Sequence, residues 1–157
     1  MYLLFESFRN QDSYIWQRMM AAGGKGEWVH CEILFDEKTW IRGSAWLSQG
    51  VGFRNFEPID PKRYEVYQIG SQHWEKAYQY FVENEGKKYD AIGVVGMVYK
   101  TALLDNPEHK FCSEVCYEAL TQAQFPLPKV DARLISPLQL RRLIKGLGYK
   151  PLVYQNS

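Results

Sequence analysis

Two of the chain's three cysteines fall in one short stretch, HKFCSEVCYEAL at residues 109–120, as Cys112 and Cys116. Such a pair can ligate a metal, form a disulfide, fill a core, or supply one nucleophile. A closed zinc site needs four ligands at characteristic spacings. Beyond the pair, the chain offers Cys31, His30, His73 and His109. His30 and Cys31 are adjacent in an apolar run that reads as a strand, where neighbouring side chains face opposite ways. They are not expected to serve one site together, so neither a metal nor another cofactor is expected. Three cysteines are too few for a disulfide scaffold and fit a reducing compartment.

Position separates the three thiols. Cys116 falls inside a helical apolar stripe, and Cys31 faces away from His30, so both read as core. Cys112 stands at the first turn of its helix, where free backbone N–H groups and the helix dipole stabilise an anion. A thiol pKa falls in such a place, and the same N–H groups can hold an oxyanion. A small residue packing a helix start would look the same from position alone. A nucleophile also needs a base. His30 is the strongest partner because it interrupts an otherwise apolar strand, whereas His73 and His109 read as solvated. Glu32, two residues on, shares the face of His30. A carboxylate and an imidazole together on an inward face would be costly without a purpose.

In this order, WVHCEILF, GKKYDAIGVVG and KFCSEVCYEAL resemble the circularly permuted papain-fold hydrolases of the NlpC-like superfamily. The likeness is to small phage- and prophage-encoded members of the YiiX/YebB type. It spans roughly residues 12–143 and includes SQGVGFR and SPLQL. The resemblance implies a catalytic histidine early on a strand, at His30. It implies a cysteine late, at a helix start in an aromatic-Cys-Ser-Glu motif, at Cys112. It also places Tyr89, from a Gly-x-x-Tyr element beginning at Gly86, near the active site, with Tyr89 and helix N–H groups such as that of Ser113 serving the oxyanion. The family's third polar residue belongs on the following strand. Here TWIRGSAWL offers only Arg42 or Ser44, so either Ser44 orients the imidazole weakly or Glu32 takes that role. A contribution from Glu32 is favoured, and the sequence leaves the choice open.

These residues need a scaffold. MYLLF, WVHCEILF (28–35), TWIRGSAWL, VGFRNF and RYEVYQI (63–69) read as strands, with DEK and SQG as breaks. SYIWQRMMAA (13–22) has helical spacing and stops at Gly23 and Gly24. SQHWEKAYQYFVENEG reads as an amphipathic helix capped by Ser71, with Trp74, Ala77, Tyr78 and Phe81 buried and Gly86 at its end. Asp90 can cap a helix through AIGVVGMVYKTALL, which Gly93 and Gly96 weaken. CSEVCYEALTQA is helical until FPLP stops it. SPLQLRRLIKG opens on Ser136 and Pro137 and closes on Gly146. The sum is a single α+β domain over residues 1–157, a mostly antiparallel sheet packed by helices, in the permuted papain-like arrangement if the resemblance holds.

Composition excludes several function classes. With 19 basic and 18 acidic residues the net charge is +1, so no nucleic-acid footprint is present. The short basic clusters RRLIK and GKK read as solvated surface. No apolar run approaches the roughly 20 residues of a membrane span. The amino terminus lacks a secretory pattern, so a cytoplasmic location is expected, the host's cytoplasm if the chain is phage-encoded. Aromatics at 15% read as core filling. The expected function is cysteine hydrolysis or acyl transfer on a small-molecule, peptide or acylated substrate. Its competitor is a non-enzymatic phage or prophage module retaining the fold.

Overall fold

The computed structural model describes residues 1–7, 28–55, 58–90 and 109–152. The helices expected over 13–22 and 91–104 lie outside the described residues. Strands β1 (Tyr2–Ser7), β2 (Trp28–Asp36), β3 (Ile41–Trp46), β4 (Gly50–Asn55) and β5 (Tyr64–Gln68) form one sheet in the order β4-β3-β2-β1-β5. Every pairing in it is antiparallel. Helices α1 (Trp74–Asn84), α2 (Cys112–Gln122) and α3 (Pro137–Gly146) complete an α+β architecture, with a short parallel pair β6 (Lys88–Tyr89) and β7 (His109–Lys110).

Alternation along the strands divides the interior. Leu3, Phe5, Cys31, Ile33, Phe35, Ala45 and Tyr67 share one core with Ala77, Phe81, Val115, Cys116, Leu120, Leu140 and Ile144 of the helices. The other face holds a smaller cluster of Leu4, Leu34 and Val66. Burial on both faces is why β2 reads as a nearly continuous apolar run rather than an alternating one. At Gly43 of β3 the sheet and α1 meet closely. A Cβ there would lie 2.8 Å from the Phe35 ring and 3.1 Å from Phe81.

Two expectations about this frame need correction. Ser71 does not cap α1: it opens a 3-10 turn, Ser71–His73, and the α-helix begins at Trp74. The buried stripe is Ala77, Tyr80 and Phe81. Trp74 is 38% exposed, because its indole needs a hydrogen-bond partner and donates to the Phe35 carbonyl at the sheet margin, 3.0 Å. Tyr80 instead goes inward because the Glu118 carboxylate accepts its hydroxyl. Nor is Arg141 of the basic cluster a solvated charge. It forks onto Glu65 at 3.0 and 2.8 Å and lies over the Trp28 ring, fastening α3 to the sheet. At the start of α3, Ser136 and Gln139 form the reciprocal cap expected of Ser136.

Candidate active site

The site begins with an irregularity in β2. Opposite β1, the register slips after the Glu6–His30 pair, so that Ser7 meets Trp28 and one residue is extra. Such a bulge turns neighbouring side chains out of the plain alternation. On the other edge, the β2–β3 ladder runs through Leu34–Arg42 and Ile33–Gly43 and stops there. Beyond that point the Ser44 hydroxyl donates to the Cys31 carbonyl at 2.7 Å, replacing a ladder bond. The opened backbone admits the first turn of α2.

Cys112 opens α2 and is fully buried. Phe111, the N-cap, has no side chain that can accept a bond, so nothing caps the first-turn N–H groups. The first helical bond is Val115 N–H to the Phe111 carbonyl, 3.1 Å. The N–H groups of Cys112, Ser113 and Glu114 precede it and have no partner within the helix. The thiol of Cys112 lies near the His30 ring and Cys31, and both act on its ionisation. The sequence expectation that His30 and Cys31 serve separate places therefore fails. With the ladder open, α2 meets the β2 backbone itself, and the residues on either side of one peptide both act on its first thiol.

Behind His30 stands a chain of charges. Its Nε2 is 3.2 Å from Glu32 Oε1 and 3.4 Å from the Ser44 hydroxyl. The other Glu32 oxygen accepts from Arg42 Nη1 at 3.1 Å. Arg42 is itself buried and lies over the Tyr64 ring at 5.1 Å. Both polar residues on the table for orienting the ring are thus beside it, with the carboxylate the nearer. Arg42 meets Glu32. The Trp46 ring flanks the imidazole at 6.2 Å.

Electrostatics follows this geometry. The bond from the Cys31 thiol and the pairing with His30 outweigh burial and hold the Cys112 thiol well below the usual thiol range. Burial alone would lower the His30 pKa, but the Cys112 charge and Glu32 overcome it and raise His30 well above its ordinary value. Glu32 resists the upward pull of burial through His30 and Arg42, and its carboxyl lies below the usual range. Burial and the donated bond push Cys31 well up, leaving it a neutral thiol. These shifts favour a thiolate–imidazolium pair at Cys112 and His30, backed by the buried Glu32–Arg42 pair.

No protein-family model matches this chain, and no curated protein matches its sequence. Geometry alone therefore carries the functional argument.

The other expected site residues divide. Tyr89 of β6 is close enough for burial and then the Cys112 charge to raise its phenol well up, and its ring is partly exposed. The Ser113 hydroxyl donates to the Ile135 carbonyl at 2.6 Å, so its side chain ties α2 to the chain before α3 and only its backbone N–H faces the site's needs. Cys116 donates weakly to the Cys31 carbonyl at 3.6 Å. His73 is half-buried rather than solvated, its Nδ1 donating to the Ala123 carbonyl at 2.8 Å. Among the described residues, no group of three His, Cys, Asp or Glu side chains could hold a metal ion. Also among them, no helix is long and apolar enough to cross a membrane.

Sequence reasoning missed two groups. Cys31 acts on the ionisation of Cys112, and only the ladder break could have announced it. The second is a clamp on α2: Lys110 donates to Glu114 at 2.6 Å and Glu118 at 3.0 Å, and Glu114 accepts from the Phe111 N–H at 3.5 Å. Burial, against the pull of Lys110, raises Glu114 to about 7. The four-residue spacing of Lys110, Glu114 and Glu118, with Lys110 just before α2 and the two glutamates on one face of it, was the available signal.

Proposed function

We propose that this chain is a cysteine hydrolase or acyl transferase of the permuted papain-like kind, acting on amide, peptide or thioester bonds. The observation that carries the reading is the buried pairing of Cys112 with His30 at a helix start without a side-chain cap, with Glu32 3.2 Å from the imidazole. The order along the chain, histidine strand before cysteine helix, supports the permuted form. With Nε2 turned to Glu32 and Ser44, the proton exchanged with sulfur moves through Nδ1. The Cys112 thiolate attacks the carbonyl carbon, and the first-turn N–H groups and the Tyr89 hydroxyl receive the oxyanion. The imidazolium gives its proton to the leaving nitrogen or sulfur as the C–N or C–S bond breaks. Neutral His30 then takes a proton from water, which attacks the thioester and restores the thiolate. Glu32 holds the ring in place and favours its charged form, and Arg42 holds Glu32.

The test is acyl trapping. The protein is mixed with p-nitrophenyl acetate near neutral pH, quenched in acid, and its peptides weighed. An acetyl group on Cys112 that His30→Ala fails to acquire is the expected result. Acetylation spread evenly over Cys31, Cys112 and Cys116, or none on Cys112, would replace the enzyme by the non-catalytic module.

A further inference from the structure

The stretch joining α2 to α3 leaves apolar side chains uncovered beside a cleft. A cavity of about 350 Å³ lies between this stretch and α3, lined by Val130, Leu134, Ile135 and Leu143. Val130 is 46% exposed, and Leu134 and Leu143 are half-buried. The volume falls at the low end of the roughly 300–1,000 Å³ of small-ligand sites. Both walls are held in place. The Tyr117 hydroxyl donates to the Pro128 carbonyl at 2.8 Å and accepts the Val130 N–H at 3.1 Å. Ser113 holds the Ile135 carbonyl at 2.6 Å, and Ser136 with Gln139 caps the helix opposite. Walls fixed beforehand lose little freedom when a ligand enters.

Charge at this cleft is one-sided. Asp131 lines it, but Arg133 matches that carboxylate, donating from Nε at 2.9 Å, from Nη2 at 2.8 Å and from its backbone N–H at 3.1 Å. Gln139 and Arg142 also line it, one turn apart on α3. Gln139 Oε1 accepts the Ser136 N–H at 2.8 Å, which leaves Nε2 as a donor. Arg142 is exposed and has no hydrogen-bond or ion-pair partner among the described residues. The cleft thus joins an apolar bed to one amide donor and one unmatched guanidinium, and its acid is already matched.

We propose that this cleft binds the free carboxylate of a medium-chain fatty acid, with the alkyl chain on Val130, Leu134, Ile135 and Leu143 and the carboxylate held by Arg142 and Gln139. An alkylammonium ion meets the guanidinium as a like charge. A phosphate or a sugar leaves the apolar bed unfilled, and a long chain outruns a cavity of this size. The inference stands apart from the reading of Cys112, which is wholly buried while the cleft is open to solvent.

The experiment titrates the full chain, by calorimetry, with sodium butanoate, hexanoate and octanoate, with octylammonium chloride and with 1-octanol, all below the concentration at which octanoate forms micelles. Expected is one saturable octanoate site per chain, with each added methylene tightening binding by up to about fourfold. Octylammonium should bind about tenfold or more weakly than octanoate. Arg142→Met, an exposed change on α3, should weaken octanoate about tenfold, the loss of one charged hydrogen bond, and leave octanol unchanged. Leu134→Trp fills the cleft and should abolish binding. Equal affinity for octanoate and octylammonium, unchanged octanoate affinity in Arg142→Met, or no saturable octanoate site overturns the proposal. Full octanoate binding by a folded Leu134→Trp places the ligand elsewhere and overturns it too. If that variant fails to fold, the Arg142→Met comparison decides.

Discussion

At the scale of single residues, the site is a line of alternating charge, Cys112, His30, Glu32 and Arg42, each nine-tenths or more buried. Taking such groups out of water is costly, and removing one member leaves its neighbour uncompensated. His30 should control the thiol. In wild type, iodoacetamide should alkylate Cys112 with a midpoint well below that of a free thiol. His30→Ala should move that midpoint toward the ~8.5 of a free thiol, because the imidazolium no longer favours the thiolate. Glu32→Gln should move it the same way by less. Cys112 is fully buried, so its absolute rate includes an opening step, and the pH midpoint is the quantity to compare. Identical midpoints in wild type and His30→Ala would remove the pair. Stability gives a second measurement. Arg42→Met should cost about 3–5 kcal/mol, since Glu32 is left buried without its guanidinium. Adding Glu32→Gln should recover part of that loss, a coupling readable in a urea-unfolding double-mutant cycle. Strict additivity would mean that the two side chains do not act as a pair.

At the scale of elements, placing the thiol depends on how β4 and β6 are hooked together. The Val51 N–H donates to the Lys87 carbonyl at 2.8 Å, and the Gly86 N–H donates to the Val51 carbonyl at 3.0 Å. Gly50 makes this approach feasible. Its φ is +79°, and a Cβ would sit 2.1 Å from the Lys87 oxygen. Gly50→Ala should therefore cost about 1–3 kcal/mol by strain and overpacking, and should weaken acetylation of Cys112 by displacing Tyr89. Unchanged urea stability would show that the hook is not tight. Much of the element scale was legible in advance. Apolar patterning located all five strands of the sheet, and Ser136 with Pro137 announced α3. Spacing also linked Glu32 to the His30 face, because that relation is local. What escaped was tertiary. Trp74 and Tyr80 exchanged places according to where a hydrogen-bond partner was waiting. Cys31 joined the site only because two strands part beyond Ile33. A register break of that kind depends on what packs into it, and no single segment records it.

At the scale of the whole molecule, the buried pair should leave a signature in stability against pH. Cys112 is lowered in the fold, so its contribution is present above the unfolded value of about 8.5 and is lost as pH falls through the folded value. His30 is raised, so its contribution is full below about 6.5 and is lost as pH rises through the folded value. Between about 6.5 and about 8.5 the unfolded chain carries one proton on this pair, on sulfur, and the folded chain also carries one, on the imidazole. The slopes cancel and the contribution is flat. Below that window the unfolded chain binds one proton more, and stability should fall by about 1.4 kcal/mol per pH unit toward acid. Above it the unfolded chain binds one fewer, and stability should fall by about as much toward base. Glu114 complicates the raw curve. Raised to about 7, its contribution is present below about 4.3 and lost as pH rises through about 7, opposing the acid limb. The informative quantity is therefore the difference between wild type and Cys112→Ala, each unfolded in urea from pH 5 to about 10, because Glu114 is common to both. That difference should be flat-topped, with a decline on each side. An ordinary buried thiol gives another shape: its pKa is raised, so the difference falls only above about 8.5 and shows no acid limb. A difference curve level from pH 5 to about 8.5 would therefore make Cys112 a packing residue and end the case for catalysis.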